Sequence, residues 1–542
     1  MTEMPPDGGM RSTPSTHRRA VLTRGVAWSA FGETAQLAVS FAGMLVLARL
    51  MPPGEYGKAG AAAGILFLLS AFNAAGMLVH TIQLPDGEEP DWSQHWHAAM
   101  VLQGAQFLLV NAVAAACWLL PTYRAIAPLL HVGSIGCLLA LPHLLGYHML
   151  LREFDFARSR LGLVACNVLN TATAVSMAFA GYGAMAIVAG SQFAALLPFS
   201  LYLLVVRRWR PATGWLRWPD WRAHAAAMRF WGQALTSGLL YSARGALEAA
   251  VLPGALGFAS LGLLGRAQAL HANTSGRVGN VLRDAVYPVL PRSARDPQAF
   301  GRHATLFVLV ALLSAFGGAA FLGIEGAQLS RVLYGMKWVE ADPLIWPAAL
   351  VGAGYAVIQT AGFVLRAVGR VRALVAINVA ESLLTAPLVL LTLAGLTLHQ
   401  YAWLLAAAEF TAALVALALA SRHLARGWIG STFLPPFVSV ALAGSATVLA
   451  RQALVGRSSG VVLALTVPLF LAVAVILLRL MYPHVLVAVC SRIRPLHWLL
   501  RLLRLNASPS SAASSAAGSA ASSAASSAAA NTGAVSAGDD AP

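Results

Sequence analysis

The chain reads as a succession of long apolar runs separated by short polar breaks. A helix needs about 20 mostly apolar residues to cross the hydrocarbon core of a bilayer. By that rule fourteen helices are predicted, at roughly 25–48, 58–80, 96–120, 126–150, 159–180, 183–206, 229–252, 257–290, 303–324, 344–366, 371–396, 399–420, 434–453 and 459–479. The eighth run is long enough to extend past the bilayer. The fold class implied is an all-α polytopic membrane protein. The longest break expected on the outer side, roughly 325–343, is far shorter than a folded catalytic domain.

A short pattern recurs. "PGEYGKAG" begins at Pro53 and "PGALGFAS" at Pro253, both at expected turns, with six helices between them. An even number of helices preserves orientation, so the pair suggests two parallel six-helix bundles. The organisation that follows is a polar N-terminal segment 1–24, a bundle 25–206, a basic linker 207–228 and a second bundle 229–425. Two further helices occupy 426–480, an arginine-bearing amphipathic stretch suited to the membrane interface covers 481–505, and a Ser/Ala-rich tail expected to be disordered fills 506–542.

Composition sharpens this picture. Only 11% of the 542 residues are charged, against about 25% in a soluble domain. The first residues are polar and basic without the short apolar core of a cleaved signal peptide. The four cysteines fall in apolar runs without metal-ligand spacing and read as small buried hydrophobes; no cofactor or metal is expected. The net charge of +16 does not point to nucleic acid, because its placement follows topology. With the N terminus inside, 27 arginines fall on the cytoplasmic side, and seven arginines and lysines fall outside, as the positive-inside rule requires. Both termini are then cytoplasmic.

Three arginines remain within expected spans: Arg244, Arg266 and Arg277. Each costs about 2.5–3.5 kcal/mol at mid-membrane on the insertion scale, so each must face a partner or a polar cavity. Winding helix 8 at about 100° per residue brings Arg266, Asn273, Arg277, Asn280 and Asp284 onto one stripe. Arg244 and Glu248 share a face of helix 7 and could neutralise each other. Glu33, Glu381 and Glu409 are the other embedded acids; they could bind a coupling ion or serve as counter-charges for the arginines. Asp284 is expected to pair with Arg283 or Arg292.

Several stretches resemble one known family. "VLARLMPPGEYGKAGAAAGI", "LREFDFARSR", "YSARGALEAAVLPGALGFASLGLLGRAQAL" with "LRDAVYPVLPRSARDP", and "LYGMKWVEADPLIWPAAL" occur in the order seen in bacterial polysaccharide-transporter flippases of the multidrug/oligosaccharidyl-lipid/polysaccharide exporter superfamily. The chain departs from that pattern at Glu248, where the family often has aspartate, and in its Ser/Ala tail. The resemblance implies an inner-membrane protein that moves undecaprenyl-diphosphate-linked oligosaccharides from the inner to the outer leaflet, with membrane lipids, and a polymerase and export complex, as candidate partners. Guanidinium forks match diphosphate oxygens. Arg244, Arg266, Arg277, Asn273 and Asn280 are therefore the candidate headgroup contacts in a lumen between the bundles, and Glu33, Glu248, Glu381 and Glu409 the candidate ion-coupling or counter-charge residues.

Other readings stay open. A multidrug exporter of the same superfamily would favour an acidic, aromatic cavity. A membrane-embedded glycan polymerase, ligase or glycosyltransferase would need a large outer loop or a metal-binding acid pair, and the chain shows no DxD motif and no His-rich loop. A non-transporting scaffold would leave the buried arginines unexplained.

Overall fold

A computed structural model describes residues 15–85, 88–222, 224–274, 296–425 and 434–481, with isolated positions at 276, 290, 293, 427, 428, 483 and 487. The regular elements among the described residues are all helices, without strands. In order they form α1 (Ser15–Leu50), α2 (Pro53–Leu69), α3 (Ala75–Gln83), α4 (Trp92–Leu119), α5 (Ala127–Arg152), α6 (Phe156–Phe179), α7 (Ala184–Gln192) and α8 (Leu197–Leu201). After the linker come α9 (Ala225–Leu256), α10 (Phe258–Asn273), α11 (Pro297–Tyr334), α12 (Asp342–Ala367), α13 (Val371–Thr385), α14 (Leu398–Ser421), α15 (Leu434–Ala453) and α16 (Ser459–Met481).

Among the described residues, ten spans are long and apolar enough to cross a membrane, or eleven when the bent pair α2–α3 counts as one. Each predicted run overlaps helix among the described residues, but α9, α10 and α15 fall short of that measure, and the eighth run is described as helix only to Asn273. Three boundaries differ from expectation. The first helix begins at Ser15, inside the polar segment 1–24 expected to precede the first span. The ninth runs to Tyr334, so Glu325 and Arg331 belong to a helix and not to a loop. The regular part of α10 ends at Asn273, and Arg277, Asn280, Arg283, Asp284 and Arg292 lie outside the described residues, as does most of the stretch 481–505 and all of the tail.

The few acids outside the bundles mostly close helix ends. Asp91, Asp155 and Asp296 accept from backbone amides of the next turn, and Thr397 with Gln400 forms a capping box at α14. The break between α2 and α3 bends the second span by 48°. Its freed backbone is satisfied: Asn73 Oδ1 accepts from the Ala75 amide at 2.9 Å, and Trp231 of α9 donates to the Asn73 carbonyl at 2.9 Å. Irregular backbone at this depth survives only with such partners.

The two Pro-Gly motifs turn out not to be structural equivalents. Pro53 opens α2, whereas Pro253 sits inside the last turns of α9, and the turn itself comes at Gly257, where φ is +82°. They meet instead. A Cβ at Gly57 would fall on the Phe258 carbonyl oxygen, and one at Gly262 on the Pro53 carbonyl oxygen. Without side chains there, α2 and α10 cross backbone to backbone, as small residues permit in lipid.

Packing joins α1 to α6, α4 to α5, α11 and α14 to α12, and α15 to α16. Contacts of α2 with α9 and α10 link the N-terminal helices to those after the linker. The end of the molecule bearing Pro53 and Gly257 is termed the Pro-Gly face; the opposite, arginine-rich end is the basic face.

Candidate functional site

The two described embedded arginines have different surroundings. Arg244 on α9 points its Nη1 at Glu409 Oε2 of α14, 3.3 Å away, and that carboxylate is fully buried. Glu248, one turn along α9, is not its ion-pair partner. Glu248 Oε1 accepts instead from the Tyr401 hydroxyl of α14 at 2.8 Å, and both residues are buried. Glu381 of α13 stands close enough for its charge to act on Arg244 and Glu409. A methyl group on Gly354 of α12 would lie 2.9 Å from Glu409 Cγ, so the glycine leaves room for this acid. One guanidinium thus faces three carboxylates, with 30% of its side chain still exposed.

Arg266 pairs with none of the acids proposed for it. Its guanidinium carbon lies 4.1 Å from the ring centre of Tyr56, 5.2 Å from that of Tyr334 and 5.3 Å from that of Trp338. The residue is 8% exposed, and its Nε and Nη1 have no hydrogen-bond partner. The attraction comes from the ring quadrupoles, worth about 2 kcal/mol when desolvated. Asn273, two turns along α10, donates to Ala269 O at 2.8 Å and contacts Met44 of α1 at 3.5 Å. The described part of the stripe therefore faces α1 and α2, and it is closed in this conformation. Arg277 and Asn280 lie outside the described residues.

The cage spans the junction at the Pro-Gly face. Trp338 donates from Nε1 to Ala48 O at 2.7 Å, Lys337 reaches Arg49 O at 3.1 Å, and Arg49 Nη2 reaches Val332 O at 2.8 Å. The end of α1 is thus fastened to the turn after α11. Glu33, near the middle of α1, pairs with Arg160 at 3.4 Å and is two-thirds exposed. It is a counter-charge for an arginine of α6, not for the embedded ones.

Sequence reasoning missed Tyr56, Tyr334, Trp338 and Tyr401. Three of them sit in the very motifs that carried the resemblance, "GEYG" and "LYGMKW", and these meet the arginine of "LLGRAQ" at one point.

A model of the polysaccharide biosynthesis protein family matches residues 46–343, more than half of the chain. The chain belongs to that family. The chain is 24% identical over 429 residues to the succinoglycan biosynthesis transport protein ExoT of Rhizobium meliloti (strain 1021), covering 76% of this chain and 85% of that one. Its fold is similar to that of lipid II flippase MurJ in an inward closed conformation, with a TM-score of 0.63 at 12% identity over 84% of this chain and 99% of that one. It is also similar to the inward-facing conformation of a multidrug resistance MATE family transporter of the MOP superfamily, with a TM-score of 0.56 at 14% identity over 71% and 94%. The family match and the run of long apolar helices together mark a polytopic helical membrane protein of the polysaccharide biosynthesis family. The family match takes in Tyr56, Arg244, Glu248, Arg266 and Trp338 and stops short of Glu381, Tyr401 and Glu409.

Proposed function

We propose that this family member is a flippase carrying undecaprenyl-diphosphate-linked oligosaccharide from the cytoplasmic to the periplasmic leaflet of the bacterial inner membrane, for export of exopolysaccharide, O-antigen or capsule. The observation that carries the reading is Arg244, an arginine within the helical bundle whose side chain stays partly exposed. A permanent cation in that position suits an anionic headgroup, which it can grip with paired hydrogen bonds.

In this reading the basic face is cytoplasmic, by the arginine distribution. The Pro-Gly face is then periplasmic, and the cage of Arg266 holds it shut while cargo enters from the other side. The moving bodies are the helices before the linker and the six after it. The headgroup reaches Arg244 and competes with Glu409 for it, and the sugars occupy the aqueous space between the bodies. Rocking separates α10 from α2, exposes Arg266 and Asn273 to the headgroup, and releases it outward. Arg277 and Asn280, outside the described residues, stay candidate headgroup contacts on their sequence spacing alone.

Glu248, Glu381 and Glu409 outnumber the one cation among them, and unpaired buried charge is strongly disfavoured. A bound proton or cation supplies the balance and is the coupling ion. Displacing the Arg244–Glu409 pair by cargo would change the need for that ion, which links the two fluxes. The same excess of acid is the one observation favouring a second reading, export of an organic cation.

Proteoliposomes holding a fluorescent undecaprenyl-diphosphate oligosaccharide, read with a membrane-impermeant quencher, separate the two. Exchange between leaflets should be fast with the wild type and fall about tenfold or more with Arg244→Ala, the worth of one charged hydrogen bond. Equal exchange by both would remove Arg244 from the headgroup path, and exchange of an organic cation alone would favour the drug exporter.

A further inference from the structure

The linker between the two groups of helices carries an unusual surface. Residues 207–222, "RRWRPATGWLRWPDWR", contain four tryptophans and five arginines and form no helix. The segment is nevertheless held in place. Its Ala212 amide donates to Ser93 Oγ at 2.9 Å, Trp96 Nε1 donates to Trp215 O at 3.2 Å, and His97 Nε2 lies 2.8 Å from Gly214 O. Arg207 adds an ion pair with Glu153 at 2.6 Å. Trp209 and Trp221 pack into the apolar cluster under α4, α5 and α9. Each of these ties reaches α4 or the turn after α5, with Arg208 (φ +50°) and Gly214 (φ +86°) supplying the sharp bends.

So fixed, the linker turns outward what a water-facing loop would cover. Leu216 is 85% exposed and Trp218 74%, and Trp215 is half-exposed. Between and before them stand Arg208, Arg210 and Arg217, all exposed, with no carboxylate partner among the described residues. The segment starts where one spanning stretch ends at Val206 and finishes where α9 begins at Ala225. Both ends are therefore at the bilayer surface.

We infer that the linker is an interfacial anchor that docks on an anionic phospholipid surface. Its Trp218, Trp215 and Leu216 lie among the headgroups, and its Arg208, Arg210 and Arg217 lie on lipid phosphates. Amphipathic rings partition to this layer, and clustered arginines are drawn to negatively charged leaflets. Charge complementarity favours lipid over a protein partner: the segment offers unpaired guanidinium groups at membrane height, and Asp220 is its one acid. Because the ties run to α4 and α5, the anchor fixes the N-terminal helices at the membrane surface and leaves those after the linker as the moving body. That last step rests on the two-body reading above; the lipid contact does not.

The test uses the full chain with Leu216→Cys in a Cys490→Ser background, labelled with an environment-sensitive fluorophore. The three described cysteines are buried. The protein is reconstituted in vesicles of phosphatidylcholine, with or without phosphatidylglycerol. Blue-shifted emission, quenched several-fold more by headgroup-proximal spin-labelled lipid when phosphatidylglycerol is present, is the expected result. R208Q/R210Q/R217Q should abolish that difference while leaving emission at a label on the Pro-Gly face, Tyr182→Cys, unchanged. Water-like emission in both vesicles would overturn the anchor, and equal quenching in both would overturn its preference for anionic lipid. The readout requires no cargo, so it stands whether or not the transport assay succeeds.

Discussion

Arg244 and Arg266 occupy neighbouring helices, and the same membrane penalises both, yet the chain accommodates them in opposite ways. Arg244 faces acids and keeps part of its side chain open. Arg266 faces three aromatic rings and is sealed. An ion pair is strong but leaves a buried charge behind when it separates. A cation–π cage is weaker and leaves only neutral rings. The first arrangement suits a site where another charge takes the place of the partner. The second suits a junction that must open and close repeatedly.

The contrast breaks most sharply at Arg244. Arg244→Ala strands the fully buried Glu409 and should lower stability by about 3–5 kcal/mol, measured by thermal unfolding in detergent. Adding Glu409→Gln should recover most of that loss, and failure to recover would mean the pair is not the source of the effect.

The crossing of α2 and α10 comes next. Gly57→Ala or Gly262→Ala places a methyl group onto a backbone carbonyl, a form of overpacking that costs about 1–3 kcal/mol. Helix separation should accompany it. Spin labels on the exposed Tyr182 and Met336, one on each side of the junction, should then report a longer distance at the Pro-Gly face.

Removing one ring from the cage is gentler. Tyr56→Leu keeps the bulk and deletes the closest quadrupole, so the loss should stay within about 2 kcal/mol. That amount is enough to shift a two-state equilibrium visibly, and the same label pair should show a larger open population. An unchanged distance distribution would make the cage a static brace.

The smallest effect belongs to the surface pair Arg207–Glu153. Glu153→Gln should cost less than about 1 kcal/mol and leave the labels on the Pro-Gly face where they were.

Much of the fold was legible because a bilayer imposes a simple test on sequence. Runs of spanning length and a basic face can each be read locally. The unusual location of Arg244 and Arg266 was legible for the same reason. Their partners were not. Glu409 lies 165 residues from Arg244 along the chain, and periodicity on helix 7 pointed to Glu248, which Tyr401 engages instead. The recurring Pro-Gly motif was misleading as evidence of a repeat, since its two copies occupy different helical positions and are spent on one close crossing.

The sequence by itself determined which segments enter the membrane, which face carries positive charge, and that two buried cations would need compensation. Each follows from the free energy of moving single side chains from water to lipid, a property of the residue and its near neighbours. Only the tertiary structure decided that one arginine is compensated by acids and the other by rings. That choice depends on which helices meet, and side chains brought together from distant segments set it, with glycines giving the backbones room to approach.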